Sequence, residues 1–92
     1  MITLDVITAN DVCEHIAAKL RALRKAKGLT QSELAEKSGV SFGSIKRFER
    51  TSQISLVSLS KIAIALNVEA EMMELFSKKH YTSIEEVIAE NA

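Results

Sequence analysis

One arrangement of apolar and hydroxyl residues recurs at four places along the chain. In each, an apolar residue precedes a Ser or Thr, and a second apolar residue lies five positions after the first. The hydroxyl can accept a backbone N–H at the start of a helix, while the apolar pair packs across the entering chain. The four starts are Ile7-Thr8 with Val12, Leu29-Thr30 with Leu34, Val40-Ser41 with Ile45, and Ile54-Ser55 with Leu59. This pattern predicts four capped helices.

Glycines and apolar spacing indicate how far these helices extend. Gly28 and Gly39 each follow a polar turn, as is typical of a left-handed helix C-terminus. We expect helices over residues 9–27, 31–37, 42–50, 56–66 and 69–77. The residues expected to face the core are Val12, Ile16, Leu20 and Leu23 in the first helix, Leu56, Leu59, Ile62, Ala63 and Leu66 in the fourth, and Met72, Met73, Leu75 and Phe76 in the fifth.

The two ends of the chain carry weaker signals. Residues 2–6 alternate apolar and polar, as in a short strand. Residues 82–88 are typical of a short capped helix, which is marginal alone and must dock on other structure. The prediction is therefore an all-α single domain over residues 1–92, with a five-helix core over about 9–77. Residues 78–92 would form a C-terminal docking or dimerisation segment.

Composition supports an all-helical domain and narrows the classes of function. Apolar residues make up 47% of the chain and charged residues 26%, with no proline, which favours helices over a turn-rich sheet protein. No basic leader precedes an apolar run at the start, and the longest apolar run, residues 62–66, is too short to span a bilayer. We therefore expect a soluble, cytoplasmic protein that has no membrane partner.

Candidate catalytic and metal-binding residues are few. His15 and His80 are far apart in sequence, and neither has metal-ligand spacing with Cys13, the single cysteine. Cys13 falls on the apolar side of the first helix, so we expect a small buried hydrophobe rather than a reactive thiol. The sequence has neither a nucleophile-elbow serine nor a glycine-rich phosphate loop. It therefore predicts no enzyme, no metal site and no cofactor.

A net charge of zero conceals an uneven distribution. Between residues 19 and 50, nine lysines and arginines stand against three glutamates, a net charge of +6, and the segments before and after each carry −3. One basic face is typical of a protein that binds a polyanion, with Lys25 and Lys27 as candidate phosphate contacts. A solvated helix surface would explain the same charges, and charge alone does not decide between the two.

The second and third helices carry a more specific signal. A short turn containing Gly39 joins them, which is the layout of a helix-turn-helix. With Val40, Ile45 and Phe48 directed to the core, the opposite face of the third helix is left for solvent or a ligand. The residues on that face are Phe42, Gly43, Lys46, Arg47 and Arg50.

The start of the third helix is almost bare of bulky side chains. Ser41, Gly43 and Ser44 would let the backbone approach a large surface closely, and the N-terminal N–H groups favour a phosphate. Arg47 can reach a guanine edge with two hydrogen bonds, and Phe42 can meet a thymine methyl. These features predict double-stranded DNA as the partner, with this helix in the major groove.

The run LTQSELAEKSGVSFGSIKRFE, residues 29–49, resembles the helix-turn-helix of the Xre regulators, the superfamily of lambda repressor and Cro. The resemblance extends over about residues 16–76, the length of that family's five-helix domain. Its Thr-Gln, Leu-Ala, Gly-Val-Ser, Ile and Glu positions match in register. The resemblance implies a lambda-repressor-like DNA-binding fold.

The same resemblance implies roles for individual residues. It assigns base reading to Phe42, Gly43 and Arg47, and it assigns phosphate contact and support of the third helix to Gln31. Ser41 and Ser44 match polar positions near the DNA backbone, and Thr51 and Ser52 match a loop that contacts phosphate. Arg24 and Glu49 match a partly buried ion pair. Glutamine readers are common in the family at positions 42 and 43, where this chain has Phe and Gly. Hydrogen-bond readout should therefore rest on Arg47, with Lys46, and on DNA shape, while Arg50 helps with positioning.

The runs IKRFERTSQISLVSLSKIAIAL and YTSIEEVIAEN are similar to HipB-like regulators, which accompany HipA-like kinases in toxin–antitoxin operons. One hypothesis is a dimeric repressor of its own operon, because a single helix-turn-helix covers too few base pairs for selectivity. The other is an antitoxin module that neutralises a HipA-like toxin kinase, with DNA binding as autoregulation. Candidate homodimer segments are residues 1–7, residues 78–92 and the exposed parts of the fifth helix.

Overall fold

A computed structural model describes residues 6–78, and these residues form five helices and no strand. In chain order the helices are α1 over Ala9–Ala26, α2 over Gln31–Ser38, α3 over Phe42–Thr51, α4 over Leu56–Ala65 and α5 over Glu69–Met73. The all-α, five-helix prediction is confirmed, and every helix begins at the expected residue. The strand expected over residues 2–6 lies outside the described residues except for Val6, and the helix expected over residues 82–88 lies wholly outside them.

The first four helices begin at the predicted hydroxyl caps. The cap side chains accept the backbone N–H three residues later at 3.0 Å for Thr8, 3.0 Å for Thr30, 3.1 Å for Ser41 and 3.1 Å for Ser55. Asp11 and Glu33 complete capping boxes, because each accepts the backbone N–H of its cap residue. Each hydroxyl satisfies a backbone donor that the helix itself leaves unpaired.

Left-handed glycines end the first two helices. Gly28 and Gly39 have φ angles of 71° and 78°, as expected for helix C-termini. A β-carbon at either position would meet open space, so the backbone conformation rather than crowding favours glycine there. The turn at Gly39 sets the entry of the chain into α3.

The core forms where α2, α3 and α4 meet the C-terminal half of α1. Its buried members are Ala17, Leu34, Val40, Ile45, Phe48, Ile62, Ala63, Ala65 and Leu66. Leu20, Leu23 and Leu59 pack against this cluster as partly buried side chains. Because Ile45 and Phe48 are both held in the core, the other face of α3 is directed away from it.

The first turns of α1 extend beyond this core. Val12 and Ile16 are 49% and 37% exposed, and Cys13 is also exposed, so the prediction that these three residues are buried was wrong. The 18 residues of α1 span about 27 Å, and the shorter helices cover only its later turns, where Arg24 is buried. Apolar periodicity identifies one face of a helix but not how much of its length has a partner.

Apolar residues on α4 and around α5 are exposed where burial was predicted. The exposed fractions are 70% for Leu56, 84% for Met73, 52% for Leu75 and 95% for Phe76. The fifth helix, α5, ends at Met73 instead of continuing to residue 77. Phe76 takes a left-handed backbone conformation, with φ of 61°, that no α-helix can contain. Of the fifth-helix residues expected in the core, Met72 is partly buried.

Candidate nucleic-acid interface

The outward face of α3 carries the side chains expected there. Phe42, Gly43, Lys46, Arg47 and Arg50 are all exposed. Four of them line an open groove beside α3, which we call the central groove. Its lining residues are Arg21, Gln31, Gly43, Lys46, Arg47, Glu49 and Arg50.

An ion pair anchors α3 to α1 at the edge of the central groove. Arg24 donates from Nε and Nη2 to the two carboxylate oxygens of Glu49, at 2.7 and 3.0 Å. Its Nη1 donates to the Leu29 carbonyl at 2.6 Å. The side chains of Arg24 and Glu49 are only 9% and 6% exposed, so each charge depends on the other for compensation.

Gln31 brings α2 into the same network. Its Nε2 donates to Glu49 Oε1 at 2.9 Å. Side chains from α1 and α2 therefore converge on one carboxylate of α3. One amide N–H of Gln31 is used in this bond, and the second remains able to donate to a ligand. The network therefore fixes α3 relative to the two helices that precede it.

The pKa of Glu49 reflects opposing effects. Burial raises it, but hydrogen bonds from Arg24 and Gln31 and the charges of Arg24 and Arg21 outweigh burial and hold the pKa below its ordinary value. Arg21 contributes through its Nε, which lies 3.8 Å from Glu49 Oε1. Glu49 is consequently ionised at neutral pH, and the nearby arginines offset its negative charge.

The N-terminal turn of α3 combines small residues with one aromatic ring. Ser41 Oγ accepts the Ser44 N–H at 3.1 Å and donates to Ser44 Oγ at 2.8 Å, so both hydroxyls lie at the helix start. A β-carbon at Gly43 would meet open space, and nothing in the fold itself requires glycine there. Phe42 is half-exposed, and Lys46 Nζ lies 5.3 Å from the centre of its ring, a cation–π contact.

The other end of α3 forms a second groove with α1, which we call the flanking groove. Its lining residues are Glu14, Ala17, Ala18, Arg21, Ala22, Lys25, Glu49, Arg50, Thr51 and Ser52. Four of the predicted phosphate contacts, Lys25, Arg50, Thr51 and Ser52, therefore lie together. Lys27 is exposed at the end of α1 and lines neither groove.

Two residues of this surface were missed by the sequence analysis. Arg21 has a side chain that is 53% exposed and lines both grooves. Its position one helical turn before Arg24 and Lys25 could have placed it on the same face of α1. Gln53 accepts a hydrogen bond from Arg47 Nη2 at 2.8 Å. No sequence signal identifies this contact, because it depends on the path of the loop after α3.

Across residues 6–78, no group of three His, Cys, Asp or Glu side chains could hold a metal ion. Among the same residues, no helix combines the length and apolar character that crossing a membrane requires.

The fold and the exposed face of α3 define a helix-turn-helix protein, and comparisons with known proteins agree. A family model described as helix-turn-helix matches residues 20–72, so the chain belongs to this family, which is of the Xre and lambda repressor type. The chain is 42% identical over 57 residues to the uncharacterized HTH-type transcriptional regulator y4dL of Sinorhizobium fredii (strain NBRC 101917 / NGR234). That match covers 61% of this chain and 29% of the relative's length. The chain therefore matches only part of that relative.

Proposed function

We propose that this protein binds double-stranded DNA through α3 and regulates transcription as a dimeric repressor of its own operon, at a palindromic operator. One observation carries the proposal. The face of α3 opposite Ile45 and Phe48 is exposed, and its N-terminal turn carries one aromatic ring, Phe42, beside the small residues Gly43 and Ser44. Its later turns present Lys46, Arg47 and Arg50, in a groove that α1 and α2 complete.

The two grooves suggest that base contacts and phosphate contacts come from different parts of this surface. In the proposed complex α3 enters the major groove, Arg47 donates to the acceptors of a guanine, and Phe42 contacts a thymine methyl. Lys25, Arg50 and the Ser52 hydroxyl would contact phosphates from the flanking groove, and the second amide N–H of Gln31 would contact a phosphate from the central groove. Phosphate contacts position the helix, and base contacts supply the selectivity.

A second copy of the chain is part of the proposal. Two recognition helices read two half-sites about one helical turn apart, which gives the selectivity that one helix lacks. Exposed apolar side chains offer candidate pairing surfaces on α4 and after it, in addition to the chain ends. The most exposed of them are Leu56, Val57, Ile64, Met73 and Phe76.

Selection of bound duplexes from a random library tests the proposal directly. The expected result is a palindromic motif with half-site centres about 10 base pairs apart. Sedimentation at micromolar concentration, with and without the selected duplex, should show a dimer. The absence of any selected motif would contradict sequence-specific binding, and a monomer that does not pair even on DNA would contradict the repressor model.

Lys25→Ala should weaken binding to all sequences about equally. Lys25 lines the flanking groove beside Arg50, where a cation would neutralise one phosphate. We expect the slope of log K against log salt to become shallower by about 1.8, because the dimer loses one phosphate contact in each half-site, with the selected motif unchanged. Lys61→Ala is the matched control, because Lys61 is an exposed lysine on α4 that lines neither groove. Equal slopes for the two variants would remove Lys25 from the interface.

Gly43→Ala should separate stability from DNA binding. Alanine is the better helix former, and its β-carbon would meet open space, so we expect the free protein to gain up to about 1 kcal/mol of unfolding free energy. Binding to the selected duplex should weaken, because the added methyl holds the backbone away from the DNA. Urea unfolding and duplex titration measure the two effects. Unchanged affinity would show that α3 does not approach DNA at Gly43.

An antitoxin role is the second candidate, with DNA binding as autoregulation of the operon. It is supported by the similarity of residues 45–66 to HipB-like regulators and by the exposed apolar side chains of Met73 and Phe76. Co-expression with a HipA-like kinase, where a neighbouring reading frame encodes one, provides the test. Co-purification of the two chains with loss of kinase activity would support this role, and independent elution would count against it.

A further inference from the structure

A closed ring of hydrogen bonds links the Arg47 side chain to the C-terminal end of α3 and to the loop that follows it. Arg47 Nη2 donates to Gln53 Oε1 at 2.8 Å. The backbone N–H of Gln53 donates to Thr51 Oγ1 at 3.3 Å, and the Thr51 hydroxyl donates to the Arg47 carbonyl at 2.7 Å. The guanidinium of Arg47 is thus linked to its own backbone through the loop that follows the helix.

The loop geometry makes this ring possible. Ser52 takes a left-handed conformation, with φ of 65° and ψ of 16°, and its N–H donates to the Phe48 carbonyl at 2.7 Å. The chain therefore turns back at the end of α3, and Gln53 comes to lie beside Arg47, one residue beyond the turn. Both side chains line a polar groove with Ser44 and Ser55, at the edge of the outward face of α3.

We propose that Gln53 is a specificity-determining positioning residue, which holds the Arg47 guanidinium in the orientation that reads a guanine. The inference rests on the proposed binding of DNA by α3. A guanidinium has five N–H donors, and Gln53 accepts from one of its nitrogens, so the others stay available for two hydrogen bonds to the base. An arginine held before binding loses less side-chain freedom when it reaches the base edge.

Gln53→Leu tests the inference, because leucine has no acceptor for the Arg47 bond. Gln53 is exposed, so the variant should fold, which a thermal melt verifies. We expect discrimination at the base pair read by Arg47 to fall by about 2- to 10-fold, the range that ordering one long side chain represents. Affinity for non-specific duplex and its salt slope should stay at the wild-type values.

Two further variants separate positioning from other roles. Adding Arg47→Ala to Gln53→Leu should change the selected motif no more than Arg47→Ala alone, because Gln53 acts through the arginine. Gln53→Glu keeps an acceptor, so it should retain the preference at that base pair. Its added negative charge should weaken binding to every sequence to a similar degree.

Each result decides the inference. A wild-type motif that Gln53→Leu leaves unchanged would overturn the inference alone and leave the proposed function standing. A uniform loss with a shallower salt slope would assign Gln53 to a phosphate, and a loss at a second base pair that persists without Arg47 would assign it to a base of its own. Either outcome overturns the positioning role. A wild-type chain that selects no motif would overturn the proposed function and this inference with it.

Discussion

Arg24→Met should lower the free energy of unfolding by about 3 kcal/mol, because it leaves the carboxylate of Glu49 buried without its main counter-ion. Glu49 would keep the hydrogen bond from Gln31 and the charge of Arg21, whose Nε lies 3.8 Å away. This remaining compensation places the cost at the lower end for a broken buried pair. Urea unfolding at neutral pH measures it.

Removing both charges should cost less than removing one. In the double variant Arg24→Met with Glu49→Leu, neither side chain requires compensation, and apolar side chains of similar volume fill the site. Arg21→Met is the control, because that side chain is 53% exposed and an exposed bridge contributes less than about 1 kcal/mol. Losses from the two single variants that add up in the double variant would show that the pair is not coupled.

The same pair gives stability a defined pH dependence. The folded-state pKa of Glu49 is lowered relative to its ordinary value, so its contribution is complete above the unfolded-state pKa. The contribution is lost as the pH falls through the folded-state pKa. The urea midpoint of the wild-type protein should therefore decrease at acid pH more steeply than that of the double variant. Parallel curves would contradict the assigned direction.

Helix starts could be predicted from sequence because their causes are local. Thr30 and Glu33 lie three residues apart, and their reciprocal hydrogen bonds need no distant partner. The end of α5 could not be predicted in the same way. Phe76 adopts a left-handed conformation that its residue type does not favour, so the extent of this helix depends on context beyond the local sequence.

Part of the candidate site could likewise be predicted from local sequence, and part of it could not. The outward face of α3 follows from helical periodicity once Ile45 and Phe48 are assigned to the core. The hydrogen bond between Arg47 and Gln53 depends on how the loop folds back, which no periodicity encodes. The predicted burial of Val12 was wrong for a related reason, because burial requires a neighbouring element as well as an apolar face.

Arg47→Ala should remove the preference for one base pair in each half-site of the selected palindrome. Arg47 is exposed on α3 and lines the central groove, where its guanidinium can donate two hydrogen bonds to a guanine. Such a contact is worth about 1–3 kcal/mol of discrimination against the wrong base. A dimer makes the contact twice, and losses at well-separated positions are roughly additive, so the effect on operator selectivity should be large.

Competition between the selected duplex and single-base variants at fixed salt measures this effect. Arg50→Ala is the matched control, because Arg50 is an exposed arginine on the same helix that lines both grooves. As a phosphate contact it should weaken all duplexes together and leave their order of affinity unchanged. If Arg50→Ala altered the preferred base while Arg47→Ala preserved it, the two arginines would have exchanged roles, and α3 would have to lie in the groove in a different register.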